Sequence, residues 1–484
     1  MSSPQSDPNP AAPKTWHVGT LTYTTGGVVV LFLLLLLGDF AWSMRDRSVG
    51  PMAQWYLSSL SVPNVVFGLL LTSFPALIGL ILGPIISVKS DRHRGKRGRR
   101  LPFLLITTPF AALGMIGLGL TPFIARWAHG VFAPGHPFGQ WFHGAMDGNP
   151  AGNWLLRMVQ NEMVVSVVCF GIFWAAFEFA TIAGQAVFGG LINDVVPRPL
   201  LGRFFGLFRA VSLIDGMIFN YWLMGLVPTH YTVIFIAIGV FYGSAFLWVC
   251  LKVREGEYPP PPPAVPVQRN FAAGFAANVR LYFKECFSNS YYVWVFFTVM
   301  IAALAFFPVN AFSIPYAKSL GLSMDTYGKG LALTFLISLC MSYFIGWLAD
   351  IFHPLRMAMV SLAGYAVVTL VGSLYATSAE SFLVAWVLHG VLSGCYMTSA
   401  ASLGQRLYPQ SKFAQFASAG GIVASLTHMV VAPAMGLLID VSGNAYRFTF
   451  VAGCALAVVG LISLGVVYGK FLKLGGPKDY VAPE

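Results

Sequence analysis

The chain has 484 residues, of which 57% are hydrophobic and only 10% charged, with a mean hydropathy of +0.71. So few charges could not cover a water-soluble protein of this size, which leaves a polytopic membrane protein. The formal net charge of +11 is not a nucleic-acid signature, because the basic residues lie in short loops between apolar runs, where their counterpart is lipid headgroups.

A polar leader containing Pro and Ser, residues 1–22, precedes an apolar run that is too long for a secretory signal and has no small-residue cleavage site, so the first helix is expected to stay. Counted against the roughly 20 residues a bilayer needs, the apolar runs number twelve. The first six are Gly26–Met44, Val62–Val88, Leu101–Ala125, Met163–Val187, Phe204–Val227 and Tyr231–Leu251. The second six are Tyr291–Phe312, Leu331–Leu348, Met357–Ala376, Phe382–Leu403, Phe416–Leu438 and Phe448–Phe471. Between the second and third lies Ser87–Phe103, with seven Lys or Arg residues against the single acid Asp91. Basic loops stay in the cytoplasm, so this loop orients the rest and predicts that both termini are cytoplasmic. The even-numbered junctions agree, since Arg198, Arg203, Arg356, Arg406, Lys412 and the tail lysines fall there.

Two stretches depart from short loops. Arg126–Asn161, rich in Gly, His, Trp and Pro, is expected as a small cap over the outer mouth, and the spacing of His129, His136 and His143 fits no metal-ligand pattern. The six Cys are scattered without paired spacing and read as small buried hydrophobes. The central link contains five consecutive prolines, Pro259–Pro263, a stiff spacer. It is followed by Phe271, Phe275, Tyr282 and Phe283 alternating with Arg280 and Lys284, as in an interfacial helix.

A shift of 212 positions lays Trp174 on Trp386, Thr181 on Ser393, Pro197 on Pro409 and Phe204 on Phe416, while Gly346–Asp350 repeats the place of Ser87–Asp91 at an offset of 259. Such matches indicate a duplicated six-helix unit, as secondary transporters use. The chain is therefore expected as an all-α polytopic membrane protein of twelve transmembrane helices in two pseudo-symmetric six-helix bundles. The organisation is a tail (1–22), an N-terminal bundle (23–252), a cytoplasmic linker (253–288), a C-terminal bundle (289–472) and a tail (473–484).

Ionisable residues inside spans cost about 2.5 to 3.5 kcal/mol to insert and require a partner or a function. Asp39, Glu178 and Asp215 qualify, and are the candidates for proton coupling, since a carboxyl in a cavity can take up and release a proton as its exposure alternates. For Asp39 the alternative is a pairing with Arg45 or Arg47 at the outer end of the first span; for Asp215 coupling is favoured on the reading that no basic residue lies within two turns on its own helix. At about 100° per residue, Trp174, Glu178, Thr181 and Gln185 share one helix face, and Trp386, His389, Ser393 and Tyr396 form the related face of the second half. Aromatic plates beside carboxylate, amide and hydroxyl groups suit a polyol, whereas the bland alternative is interhelical hydrogen bonding. Pro308, Asn310, Ser313 and Pro315 predict a bent or broken seventh span, with Asn310 at the substrate.

The loop Ser90-Asp91-Arg92 followed by Arg97-Gly98-Arg99-Arg100-Leu101-Pro102-Phe103 is close to the form SDR…GRRRPF, with Leu101 where that form has Arg. With twelve spans in two halves, the chain resembles the major facilitator superfamily, and through this loop the sucrose/proton symporters and the related glycoside-pentoside-hexuronide cation symporters. The resemblance implies alternating access, one substrate site between the halves and a cation, usually H⁺, carried along. It also implies a cytoplasmic gate, here Asp91 with Arg92, Arg99 and Arg100, and an anionic Asp91 could cap the start of span eleven near Gln415–Ser418.

The expected function is thus proton-coupled symport of a disaccharide or glycoside across the cytoplasmic membrane, by a functional monomer with no cofactor, no metal and no nucleic-acid partner. The competing readings are an exporter of drugs or metabolites on the same fold, and a non-transporting receptor or assembly factor. No nucleophile–base pair or phosphate loop suggests an enzyme.

Overall fold

The computed structural model describes residues 15–258, 260, 280, 282–409 and 412–483. A short hairpin, β1 (Thr15–Val18) with β2 (Leu21–Thr24), opens the described chain inside the segment expected to be a plain tail. Then come α1 (Thr25–Ser59), α2 (Asn64–Arg92, with a π-helical turn at Leu69–Ser73) and α3 (Leu101–Phe132). Two short helices, α4 (Pro137–Met146) and α5 (Pro150–Gln160), lead to α6 (Glu162–Val195), α7 (Leu201–Ile218) and α8 (Val227–Lys252). The second half holds α9 (Ser290–Ser319), α10 (Met324–Phe352), α11 (Pro354–Tyr375), α12 (Ala379–Ala400), α13 (Leu403–Leu407), α14 (Phe413–Val441), α15 (Phe448–Lys473) and α16 (Gly476–Asp479). Most of the proline run, with Phe271 and Phe275, lies outside the described residues.

Among the described residues, eleven helical stretches are long and apolar enough to cross a membrane. One of them, Arg203–Lys252, has 50 residues and would be about 75 Å long if straight, more than twice a bilayer's hydrocarbon thickness. It turns back instead. A π turn at Phe219–Leu223, a 3-10 turn at Met224–Leu226 and a non-helical His230 (φ −123°, ψ 24°) divide it into α7 and α8. Twelve crossings result. The bend expected in the seventh span is present at Phe312 (φ −113°, ψ 15°), between Pro308 and Pro315.

The first span differs from expectation. It does not end at Met44 but runs to Ser59, so Arg45, Asp46 and Arg47 lie in mid-helix and not at an outer rim. Cys340 also departs from the expected burial, being exposed.

On the face that carries the basic loops, here called the basic face, Ser87–Phe103 is held by acids from two other helices. Asp194 accepts from Arg99 Nε (2.9 Å) and Nη2 (2.6 Å) and from Arg100 Nε (3.3 Å), while Arg100 also reaches Asp91 (2.5 Å) and Ser90 Oγ (2.6 Å). Glu255, just beyond α8, accepts from the backbone N–H groups of Arg99, Arg100 and Leu101 at 2.9, 2.8 and 2.6 Å, satisfying the orphan donors at the start of α3. Tyr258 donates to the same carboxylate (2.8 Å). Burial, with the adjoining carboxylate, raises the Tyr258 phenol well above its usual range. Gly98 (φ +97°) is required here, because a Cβ would lie 2.6 Å from that of Glu255. The second-half copy is thinner: Asp350 meets Arg406 alone, at 3.0 Å.

On the opposite face the two halves join. Asp440 of α14 accepts from Asn64 N (2.9 Å), Asn64 Nδ2 (2.8 Å) and Val65 N (2.9 Å), so it caps the first turn of α2. Asn64 also donates to Asn444 (2.9 Å) and accepts from Tyr446 (3.1 Å), and Ser73 donates to Met429 O (2.6 Å). Glycines permit this crossing: a Cβ on Gly68 would lie 2.6 Å from Ala432 O, and one on Gly436 would collide with the Asn64 backbone. Among the described residues the hydrogen bonds between the halves cluster here, and none joins them on the basic face.

Asp440→Ala removes the cap and leaves α2 donors unpaired, at about 1–3 kcal/mol. Distances measured between spin labels across the opposite face are expected to lengthen in a large fraction of molecules; an unchanged distribution would refute the latch. Glu255→Ala is expected to lower the melting temperature of the detergent-solubilised protein by a loss of similar size, about 1–3 kcal/mol, without shifting that distribution.

Candidate functional site

Between the halves lies a cavity of about 440 Å³, within the range of small-molecule sites, roughly 300–1,000 Å³. From α1 it receives Asp46, Arg47 and Gln54, and from α7 and its extension Arg209 and Asn220. The other wall is neutral: Asn310 and Ser313 of α9, Tyr327, Thr334 and Ser338 of α10, and Trp386 and Ser393 of α12.

The bend of α9 presents Asn310 to the cavity, and a relay behind it fixes its position. His389 Nε2 lies 3.1 Å from Asn310 Oδ1, and His389 Nδ1 lies 2.9 Å from the hydroxyl of Tyr365, whose single proton can go to that nitrogen or to Ala305 O (3.1 Å); with Nε2 donating to Asn310, it goes to Nδ1. His389 is fully buried, so it orients Asn310 and does not itself line the cavity. Trp386 stacks between Tyr327 (5.5 Å between centroids) and His389 (5.2 Å), with its indole Nε1 buried and unpartnered. Ser313 and Tyr327 share a hydrogen bond of 2.9 Å. Tyr396 packs on Phe306 behind the wall.

The matching face of the first half is used differently. Trp174 donates its Nε1 to Leu70 O (2.9 Å), at the π turn of α2. Thr181 accepts from Arg45 Nη1 (3.4 Å), and the Arg45 guanidinium lies 3.9 Å above the Trp42 ring and 5.1 Å from that of Tyr242. Glu178 lies within electrostatic reach of Arg45. None of Trp174, Glu178, Thr181 and Gln185, the face expected to meet substrate, lines this cavity. Thr181 and Glu178 serve Arg45, because a guanidinium in mid-span needs acceptors, whereas Gln185 on the same helix is exposed.

The acids of α1 and α7 come together. Asp39 and Asp215 are fully buried and electrostatically coupled, yet Asp39 Oδ2 and both Asp215 oxygens have no hydrogen-bond partner among the described residues. Only Ser43 donates to Asp39 (3.3 Å). Against the expectation for its own helix, Arg209 stands six residues before Asp215, and from α1 Arg47 lies within electrostatic reach of both acids while donating to Ser212 (3.0 Å), one turn before Asp215, with its guanidinium 5.2 Å from the Phe335 ring of the other half. No ion pair joins Asp39 to Arg45 or Arg47 among the described residues. Sequence reasoning missed Asp46, Arg47, Arg209 and Gln54 as cavity residues, although charges continuing the helical period past Met44 were the available signal.

Of the gate residues, Asp91 pairs with Arg100 and Arg99 with Asp194, all within the first half, and among the described residues no hydrogen bond or ion pair joins Asp91 to α14.

Residues 295–478 match the sequence model of the Major Facilitator Superfamily. No curated protein sequence matches the chain. Among solved structures, a bacterial homologue of the human lysosomal transporter Spinster, inward-facing and unoccupied, superposes with a TM-score of 0.61 at 16% identity, covering 94% of this chain and 98% of that one. A POT family transporter bound to a thioalcohol-conjugated peptide gives 0.60 at 13% identity, covering 93% and 96%. A D-xylose–proton symporter gives 0.57 at 14% identity, covering 90% and 96%. The chain is an integral membrane protein with the major facilitator transporter fold, and its second half carries that superfamily's sequence pattern.

Proposed function

We propose that this chain is a secondary active transporter, a proton-coupled symporter of a sugar working by alternating access, with the basic face and both termini in the cytoplasm. The observation that carries this reading is the cavity between halves that meet on one face and part on the other. The wall of Asn310, Ser313, Trp386 and Ser393 pairs aromatic plates with amide and hydroxyl groups, the inventory a polyol needs. Proton coupling is supported by Asp39 and Asp215. An ionised carboxylate buried without donors costs several kcal/mol, so these two are suited to holding a proton while the cavity faces the basic side. Arg47 is the counter-charge within reach once the proton leaves. Glu178, beside Arg45, is the third candidate. The superposed D-xylose–proton symporter shows that the fold supports such chemistry.

Arg47 and Arg209 on the cavity wall favour a second reading, an anionic metabolite as cargo.

Uptake of labelled disaccharides, glycosides and a sugar acid into proteoliposomes under an imposed pH gradient separates these readings. Sugar-dependent proton flux is expected. Asp215→Asn should abolish accumulation driven by the gradient while retaining sugar exchange, and Asn310→Ala should raise KM by about 10-fold, the loss of one buried hydrogen bond to substrate. Absence of any sugar-dependent proton flux would overturn the symport reading, and flux with the sugar acid alone would establish the second. If Asp91 latches the cytoplasmic side in the opposite conformation, Asp91→Asn should shift labelling of engineered cysteines further toward cytoplasmic access; an unchanged pattern refutes that role.

A further inference from the structure

We infer that the helical hairpin α4–α5 is a membrane-interface anchor, lying in the headgroup layer of the leaflet opposite the basic loops, and not a cap over the transport pathway. Its packing partners are α3 and α6, and α3 itself packs on α6 and α8, within the first half and away from the seam between the halves. The closure on this face belongs to Asn64 and Asp440, without the hairpin.

The hairpin is firmly attached. Phe132 at the end of α3 meets Phe138 (5.6 Å) and Phe142 (5.1 Å) of α4, His143 Nε2 lies 3.1 Å from Phe132 O, and His129 Nε2 lies 3.0 Å from Gln160 O. The histidines that might have suggested a metal site thus tie the hairpin to its flanking helices. Gly139 and Gly152 let the chain approach its own backbone closely at the two turns.

With its inner side spent on α3 and α6, the hairpin still turns large aromatic side chains outward. Phe138 and Trp141 share one face of α4, and Trp141 (64% exposed) and Trp154 (59%) are open, as is Trp127 (70%) at the end of α3. Trp127 and Phe123 end the outward-facing apolar series of α3 that begins at Ile106, Phe110 and Leu113, so the hairpin surface continues a lipid-facing surface at the level where it leaves the hydrocarbon. Tryptophan concentrates at that level, because its ring is apolar and its N–H seeks a polar partner. Short amphipathic helices with exposed aromatics lie in the same plane. Charges are few between the flanking helices: over residues 126–162 Arg126 and Arg157 stand against Asp147 and Glu162. The corresponding junction of the second half, between α11 and α12, is only Ala376–Ser378, so the hairpin is an addition to one half and not part of the duplicated scaffold.

Spin labels placed by Trp141→Cys, Trp154→Cys and, as a reference in the turn, Asp147→Cys, in full-length protein reconstituted into phosphatidylcholine–phosphatidylglycerol vesicles, test the anchor. The labels at 141 and 154 are expected to collide several-fold more with oxygen, relative to a water-soluble nickel reagent, than the label at 147. Equal, water-like access at all three positions would overturn the inference. So would shielding of 141 and 154 from both reagents, which would place a second copy of the protein there.

Discussion

An ionised side chain inside a bilayer must find a partner or a wet cavity, and α1 confronts the chain with four between Asp39 and Arg47. The organisation of the first half follows from the solutions. Arg45 is turned into the bundle, where Thr181 accepts from it and Trp42 and Tyr242 cover it. Asp46 is exposed to the central cavity. Arg47 bridges to Ser212 of α7 and touches Phe335 of the second half. Asp39 is buried beside Asp215 with little to satisfy it.

The halves, though duplicated, have diverged in chemistry. The first carries the buried charges; the second carries the hydrogen-bonded chain of Tyr365, His389 and Asn310, and the stack of Tyr327, Trp386 and His389. The proposed symport assigns the cargo to the second half and the coupling ion to the first, since a cargo-binding amide is best held in one orientation by its hydrogen-bond partners. A coupling group must instead sit where its charge state decides which conformation is stable.

The two faces show how such a body is held in one state. On the opposite face Asp440 caps a helix of the other half, so separating the halves would expose α2 donors. On the basic face the acids Asp194, Glu255 and Asp91 are all spent on the loop of their own half. The first half is thereby rigid at its rim without being bound to the second. This asymmetry leaves the cavity open on one side.

The sequence by itself determined the spans, the basic face, the duplicated architecture and the bend at Pro308–Pro315, because hydrophobic length, loop charge and proline act locally and are read residue by residue. It also placed Asn310, Trp386 and Ser393 on faces that reach the cavity. It could not separate the face of Trp174 and Glu178 from that of Trp386: helical periodicity says which residues share a face and nothing of what that face meets. Nor could it see that α1 continues past Met44, since Arg45 resembles the end of a span until its acceptor, Thr181, arrives from 136 residues away. Only the tertiary structure decided which charges are enclosed and which face the cavity, because those depend on partners brought together by packing.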